Sequence, residues 1–504
     1  MSRAVARCEA TSLVGKLAVE SLVSPHTKEV TMAQSTAPAP RAPFVSTRDQ
    51  LARREGLPFL TILSRPLVAA ACRAFGHQWR ERIYTPWITL SLFLSQVLSE
   101  DHSCDEAVDR LQKVRYDQGL PPVSPETTSY CAARRQLPEG VFWELVHCIG
   151  RAIHEKADIS WLFHGRPVKI IDGSTVVMPD TAPNQAAYPQ PRSQAPGLGF
   201  PIARLLVVFS LAVGTVLEAA MGRYQGKQTS ELALLRMVLD QFRPGDIVLA
   251  DRFFCSYWVI AALLARGVDV VVRLHQRRAA DFRCGDRLGR HDHVVLWRKP
   301  AEIPDWMSRE EYEAMPPWLA IREVRVSVTD PTKRVRKLVI ATTLRDARTY
   351  PAKELGGLFR QRWHAELDLR SLKTHMHMEM LRTRSPEMVR KEVAAHLLAY
   401  NLIRGVMAEA ARAEGIKPRL VSFKGAQHTV REFEAVHLYD PERIERDLPR
   451  LVSLIGQKRV GDRPDRYEPR AVKRRPKPHP LLRMTRKKAK ALIKRGFIPY
   501  EKTK

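Results

Sequence analysis

The sequence predicts an α/β protein: a mixed sheet flanked by helices, with an α-helical region before it and a β-rich segment inserted into it. Three observations carry this. Short β-branched apolar runs, Val168–Ile171 and Ile247–Ala250, each end at an aspartate and read as buried strands. Helical patterns separate them, as in SELALLRMVLDQF and Ser256–Ala265. Between residues 276 and 337 the helical periodicity fails, then VRKLVIATTL restores the buried-strand pattern.

The chain has 504 residues, long enough for two to four domains. Lys and Arg total 82 against 54 Asp and Glu, a net charge of +28 with a pI near 10.1, so the expected partner is a polyanion, nucleic acid before a membrane surface. Seven widely spaced cysteines without a C-x-x-C pair point to reduced thiols and a cytoplasmic setting. His291-Asp292-His293 and His375-Met376-His377 lack the spaced partners a structural metal needs. The longest apolar run, Leu205–Leu217, stops at Glu218, too short to span a bilayer. Residues 1–30 lack a continuous apolar core that would mark export.

In order, residues 1–50, rich in Ala, Pro, Ser and Thr, read as a mobile tail. Residues 51–160 read as a helical, DNA-binding domain. Pro86-Trp87 opens ITLSLFLSQVL, Ser103 with Glu106 suggests a capping box, and Ser124–Thr127 starts a helix carrying Arg134 and Arg135. Arg53, Arg54, Arg65, Arg73, Arg80 and Arg82 recur among the apolar positions, a pattern suited to gripping DNA backbone.

The first part of the sheet covers residues 161–275. Val168–Ile171 delivers Asp172 at a strand end, Asp172–Thr175 turns, and Val176–Met178 forms another strand before a Pro/Gln/Gly-rich loop to Phe200. Two strands follow, turning near Gly214, then helix, strand with terminal Asp251, helix, and strand Val268–Leu274. This order is that of a ribonuclease-H-like sheet with mixed pairing. Singly, each aspartate reads as a turn or cap residue. As a pair at two strand ends they suit a rigid sheet holding carboxylates around two divalent ions.

Residues 276–337 form the β-rich insertion, in which Trp297, and less so Trp306 and Trp318, offer rings for stacking on an unpaired base. Residues 338–410 return to the core through the stretch FRQRWHAELDLRSLK. On one continuous helix, Phe359, Arg362, Glu366 and Lys373 would share a stripe about 60° wide. An ordinary surface ion-pair row has the same composition. Residues 411–457 read as a last helical region and 458–504 as a basic tail with sequence-independent affinity for phosphates.

The spacing Phe359-x2-Arg362-x3-Glu366-x6-Lys373 resembles the Y-x2-R-x3-E-x6-K signature of DDE transposases in the insertion-sequence-four family, with Phe replacing Tyr. Asp172-Gly173-Ser174-Thr175 and Asp251-Arg252-Phe253-Phe254 are similar to the sequences around that family's first two acids. The resemblance covers roughly residues 55–500. It implies a transposase that binds the inverted-repeat ends of its element as a homodimer in a synaptic complex, with no membrane or small-molecule substrate, in the bacterial cytoplasm beside the nucleoid. Asp172, Asp251 and Glu366 would hold two Mg²⁺, for which Mn²⁺ could substitute. Arg362, Lys373, Arg252, Trp297 and Phe359 would face DNA, Phe359 with its ring alone, since it has no hydroxyl to offer a phosphate. A metal-dependent nuclease of the same fold and an inactive DNA-binding descendant remain the alternatives.

Overall fold

A computed structural model describes residues 63–327, 337–437, 443–461 and 484–497. The expected tail, Cys8, Arg53 and Arg54 lie outside them, as does most of the basic stretch after Lys458.

Among the described residues five helices come first: α1 (Arg65–Ala74), α2 (Pro86–Leu98), α3 (Cys104–Asp117), α4 (Thr128–Gln136) and α5 (Glu139–Glu155). Three of them start at a side-chain cap, whereas α4 and α5 do not. Ser64, Thr85 and Ser103 each accept a hydrogen bond from the amide three residues on, satisfying one of the donors a helix leaves open. Arg134 is buried rather than offered to DNA. Its guanidinium donates to Gln96 at 2.8 Å and lies 4.7 and 4.8 Å from the Phe93 and Tyr130 ring centres. Arg73, Arg80, Arg82, Lys113 and Arg135 are exposed in this region.

The sheet has nine strands: β1 (Val168–Val177), β2 (Ile202–Ser210), β3 (Val216–Arg223), β4 (Ile247–Ala250), β5 (Asp269–Arg273), β6 (Asp286–Gly289), β7 (Asp292–Arg298), β8 (Trp318–Ser327) and β9 (Lys337–Thr342). Their spatial order is β3-β2-β1-β4-β5-β9-β8-β7-β6. β1, β2 and β3 pair antiparallel while β4 and β5 join β1 in parallel. That is the ribonuclease-H-like arrangement expected from element order. The inserted strands β6 to β8 extend this sheet instead of forming a separate one, because β8 pairs along β9 from Arg322↔Thr342 to Ser327↔Lys337. The pairing satisfies an edge that would otherwise stay open.

One expectation fails at β1. Asp172–Thr175 is not a turn: β1 is a single ten-residue strand through Asp172, paired without interruption from Lys169↔Ser210 to Val177↔Ile202. Long antiparallel pairing with β2 overrides the local turn preference of Asp-Gly. The loop after β1 also holds a short helix, α6 (Ala182–Ala187).

Strand alternation buries both faces of the sheet. Ile170, Leu205, Val207, Ile247 and Leu249 face one core, with α2, α5 and the 28-residue α12 (Pro386–Ala413). Ile171, Leu206, Val208, Val248 and Ala250 face the other, with α7 (Glu231–Met237) and α8 (Tyr257–Leu264). The Tyr400-Asn401-Leu402 segment of α12 is structural, as its burial demands: Asn401 accepts from the Val216 amide and donates to the Val146 and Val216 carbonyls, and Tyr400 donates to Gly214 O. Among the described residues, no helix is long and apolar enough to cross a membrane.

After a short helix in the insertion, α9 (Arg309–Ala314), and strand β9, the chain forms α10 (Ala352–Arg360) and α11 (Trp363–Arg370), and a π-helical turn occupies Ser371–His375. Behind α11 lies a fully buried carboxylate, Asp368, which accepts from Arg404 of α12 and, through both oxygens at 2.7 Å, from Arg419. Arg419 also donates to the carbonyls of Leu211 and Ser210 at 2.8 Å. The chain continues through α13 (Phe423–His437) and α14 (Arg443–Gln457) to a short last helix, α15 (Arg486–Lys494).

Asp368→Ala would strand two buried guanidinium groups. The expected loss is about 3–5 kcal/mol of unfolding free energy, read as a lower urea midpoint; a loss below about 1 kcal/mol would show that the cluster does not hold α11 in place.

Candidate active site

Parallel pairing brings the two aspartates together. β1 and β4 are in register at Ile170↔Leu249, so two steps further along both strands Asp172 stands beside Asp251. Each shares the parity of the residue two before it, so both carboxylates leave the same sheet face, on which α11 packs. β4 ends at Ala250, and Asp251 keeps an extended backbone (φ −80°, ψ −179°) while its Oδ1 accepts from the Phe253 amide at 2.7 Å. The Asp251 side chain is therefore both a cap of the following turn and a wall of the site.

Glu366 arrives from α11. Asp172, Asp251 and Glu366 line one open cleft of about 570 Å³ with Gly173, Arg362, Leu369, Arg370, Lys373, Thr374 and Glu379. Arg362 bridges two of the acids, with Nη2 2.6 Å from Glu366 Oε1 and Nη1 3.7 Å from Asp172 Oδ2. Burial pushes the Asp172 carboxyl up to about 6, against the pull of the Gly173 amide and Arg362 and with the help of Asp251 and Glu366. Three carboxylates around one cleft, two of them held by Arg362, suit a divalent cation, whose charge would favour the ionised form of Asp172 that burial disfavours. Among the described residues, no three acidic, His or Cys side chains have already converged at ligand distances.

The four residues expected on one helix face do not share one. The helix breaks at Gln361 and Arg362, which puts Phe359 on α10 and Glu366 on α11, and the π turn moves Lys373 out of regular phase. Arg362, Glu366 and Lys373 still reach the cleft; Phe359 instead packs, half-buried, on the core. Arg252 is exposed beside Asp251.

Trp297 requires a correction. It is 4% exposed, its indole donates to Glu323 Oε1 at 3.0 Å, and Arg278 lies 4.0 Å from its ring centre. A ring held inside the sheet cannot stack on a base, and Trp318, at 49% exposure, is the open one in the insertion.

Sequence patterns missed Arg370, Thr374 and Glu379 in the cleft wall. On a helix, a cation such as Arg370 carries no mark that separates a cleft from open solvent. They also missed Glu231, a buried-side acid that pairs with Arg204 at 3.1 Å behind Asp172. Burial raises its carboxyl, and Asp251 raises it further against the pull of Arg204. A Cβ on Gly173 would lie 2.3 Å from the Glu231 carboxylate, so the glycine of the Asp-Gly pair makes room for a side chain rather than for a turn.

Residues 163–402 match the family model for the transposase DDE domain. The chain is 28% identical over 322 residues to the transposase InsG for insertion sequence element IS4 of Escherichia coli K12, a match covering 63% of this chain and 70% of that protein. The piggyBac transposase, solved by cryo-EM as a synaptic complex with hairpin DNA, aligns over 81% of this chain and 86% of its own at 12% identity. Its TM-score of 0.39 is too low for one backbone to inform the other.

Gly173→Ala should displace Glu231 from Arg204 and cost about 1–3 kcal/mol. In a Glu231→Ala background the same change should cost little, and a denaturation double-mutant cycle reads the coupling. Equal costs in both backgrounds would refute the contact.

Proposed function

With the chain belonging to the DDE transposases of the insertion-sequence-four family, we propose that Asp172, Asp251 and Glu366 are its catalytic acids, holding two Mg²⁺ or Mn²⁺ ions for cleavage and strand transfer at the ends of its own element. The observation that carries the assignment is the convergence of three acids, distant in sequence, on one face of the sheet and one cleft. Bound divalent ions supply a lowered pKa for the attacking water or 3′-hydroxyl and stabilise the leaving oxygen of an in-line displacement.

The remaining residues position the DNA. Arg362 pairs with Asp172 and Glu366; where cation charge takes over that role, its fork is available to a phosphate oxygen. Lys373 and Arg370 add positive charge along the same wall, and Arg252 does so beside Asp251. Cleavage and joining use one site because both are phosphoryl transfers that differ only in the nucleophile. Double-stranded DNA enters as element end and as target, two copies of the chain pairing the ends in a synaptic homodimer. The setting is the bacterial cytoplasm, beside the nucleoid.

The test incubates purified protein with labelled element ends, target DNA and Mg²⁺. Asp172→Ala, Asp251→Ala and Glu366→Ala should each lower cleavage by several kcal/mol of barrier, on the order of a thousandfold or more, with end binding within about threefold. Wild-type activity in any of the three sinks the triad, and cleavage without joined products reassigns the chain as a nuclease.

The raised Asp172 carboxyl gives a pH dependence. Cation binding needs the deprotonated form, so metal affinity should be full above about pH 7 and fall as pH drops through about 6. The sign for stability is opposite: the folded carboxyl binds its proton more tightly than an ordinary one, so without metal this group's contribution falls as pH rises from about 4 to about 6. Calorimetric Mn²⁺ titration at about pH 5 and about pH 7.5 measures the first effect; equal affinity at both would contradict it.

A further inference from the structure

The last described helix, α15, carries Arg486, Lys487, Lys488, Lys490 and Lys494, with Arg495 at its end. Like charges three and four residues apart disfavour a helix, and nine residues are too few to form one alone in water. α15 is nonetheless docked on the catalytic domain. Thr485 caps it, and Arg486 reaches Asp180, the Leu198 and Gly199 carbonyls at 3.2 and 3.4 Å, and the Phe200 ring at 4.0 Å. With Arg486 engaged, Lys487, Lys488, Lys490, Lys494 and Arg495 remain exposed.

The dock connects physically to the cleft. Glu379 lines the cleft, and its carbonyl accepts from the Val177 amide, while Leu381 N donates to Val177 O at 2.8 Å. From there residues 379–384 run beside residues 177–184: Thr181 donates to Arg384 O at 2.8 Å and Asn184 to Thr383 O at 3.3 Å. Arg382 and Arg384 are exposed along this run. It begins at the cleft wall and ends beside Asp180, where α15 is held. The five residue steps from Glu379 to Arg384 span at most about 17 Å, the rise of about five base pairs at 3.4 Å each.

We propose that α15 is a phosphate-binding arm that grips the duplex outside the cleft, a few base pairs from the scissile bond, with Arg382 and Arg384 bridging it to the cleft. The inference rests on the reading of the chain as a DNA transposase. Its partner is the sugar-phosphate backbone, so it adds affinity and register without base preference. It also accounts for ordering so much like charge in one place: phosphates neutralise what the protein alone leaves repelling.

The experiment measures binding of labelled element-end DNA across a salt series, with hydroxyl-radical footprinting, using the full chain. Lys487→Gln, Lys488→Gln and Lys490→Gln together should make the slope of log affinity against log salt shallower by about 3 and remove backbone protection on the duplex beside the cleavage site. Arg486→Ala, which keeps all five exposed cations but frees the dock, should lose the same protection while changing the slope less. Wild-type binding with an unaltered slope and footprint in the triple variant overturns the arm and leaves the transposase reading standing. Protection retained in Arg486→Ala overturns the docked geometry. Failure of the wild type to bind any DNA overturns both readings together.

Discussion

The site depends on one buried charge cluster. Asp368 sits on α11 two residues after Glu366 and meets two guanidinium groups, Arg404 on the long helix α12 and Arg419 beyond it. Arg419 reaches the carbonyls that close β2, so helix α11 is tied to the sheet that carries Asp172 through paired charges rather than apolar contact alone. Buried ion clusters fix geometry more dependably than they add stability, since desolvation offsets most of the attraction. Here geometry is what three carboxylates from three elements require.

The cleft shows the complementary arrangement at its surface. Arg362 stands between Asp172 and Glu366, so the protein's own guanidinium holds the acids near one another. Burial meanwhile lifts Asp172 toward neutrality. The two effects act in the same direction: like charges are kept close without the full cost of their repulsion, and cation binding exchanges a proton and a guanidinium contact within a site that is already shaped.

Much of this was legible in the chain. Asp172 and Asp251 follow β-branched runs, and the order of strands and helices predicted the mixed sheet that formed. Glu366 was legible through its spacing to Arg362 and Lys373. What misled were features that local pattern cannot rank. Asp-Gly in β1 reads as a turn, yet pairing with β2 keeps it straight, and the helix expected from Phe359 to Lys373 breaks twice. Trp297 looked available because a strand's alternation does not say which face is covered, and the sheet covers it.

The sequence by itself determined composition, charge and three candidate acids, because strand periodicity is local and the spacing around Glu366 that resembles a family signature is visible in one dimension. Tertiary structure alone decided that Asp172 lies beside Asp251, since that follows from the register of two strands about 80 residues apart. It also decided that Gly173 yields space to Glu231, that Arg134 is buried and that the basic helix α15 docks through Arg486 at Asp180. Each depends on contacts between distant segments, where burial and pairing energies outweigh local preference.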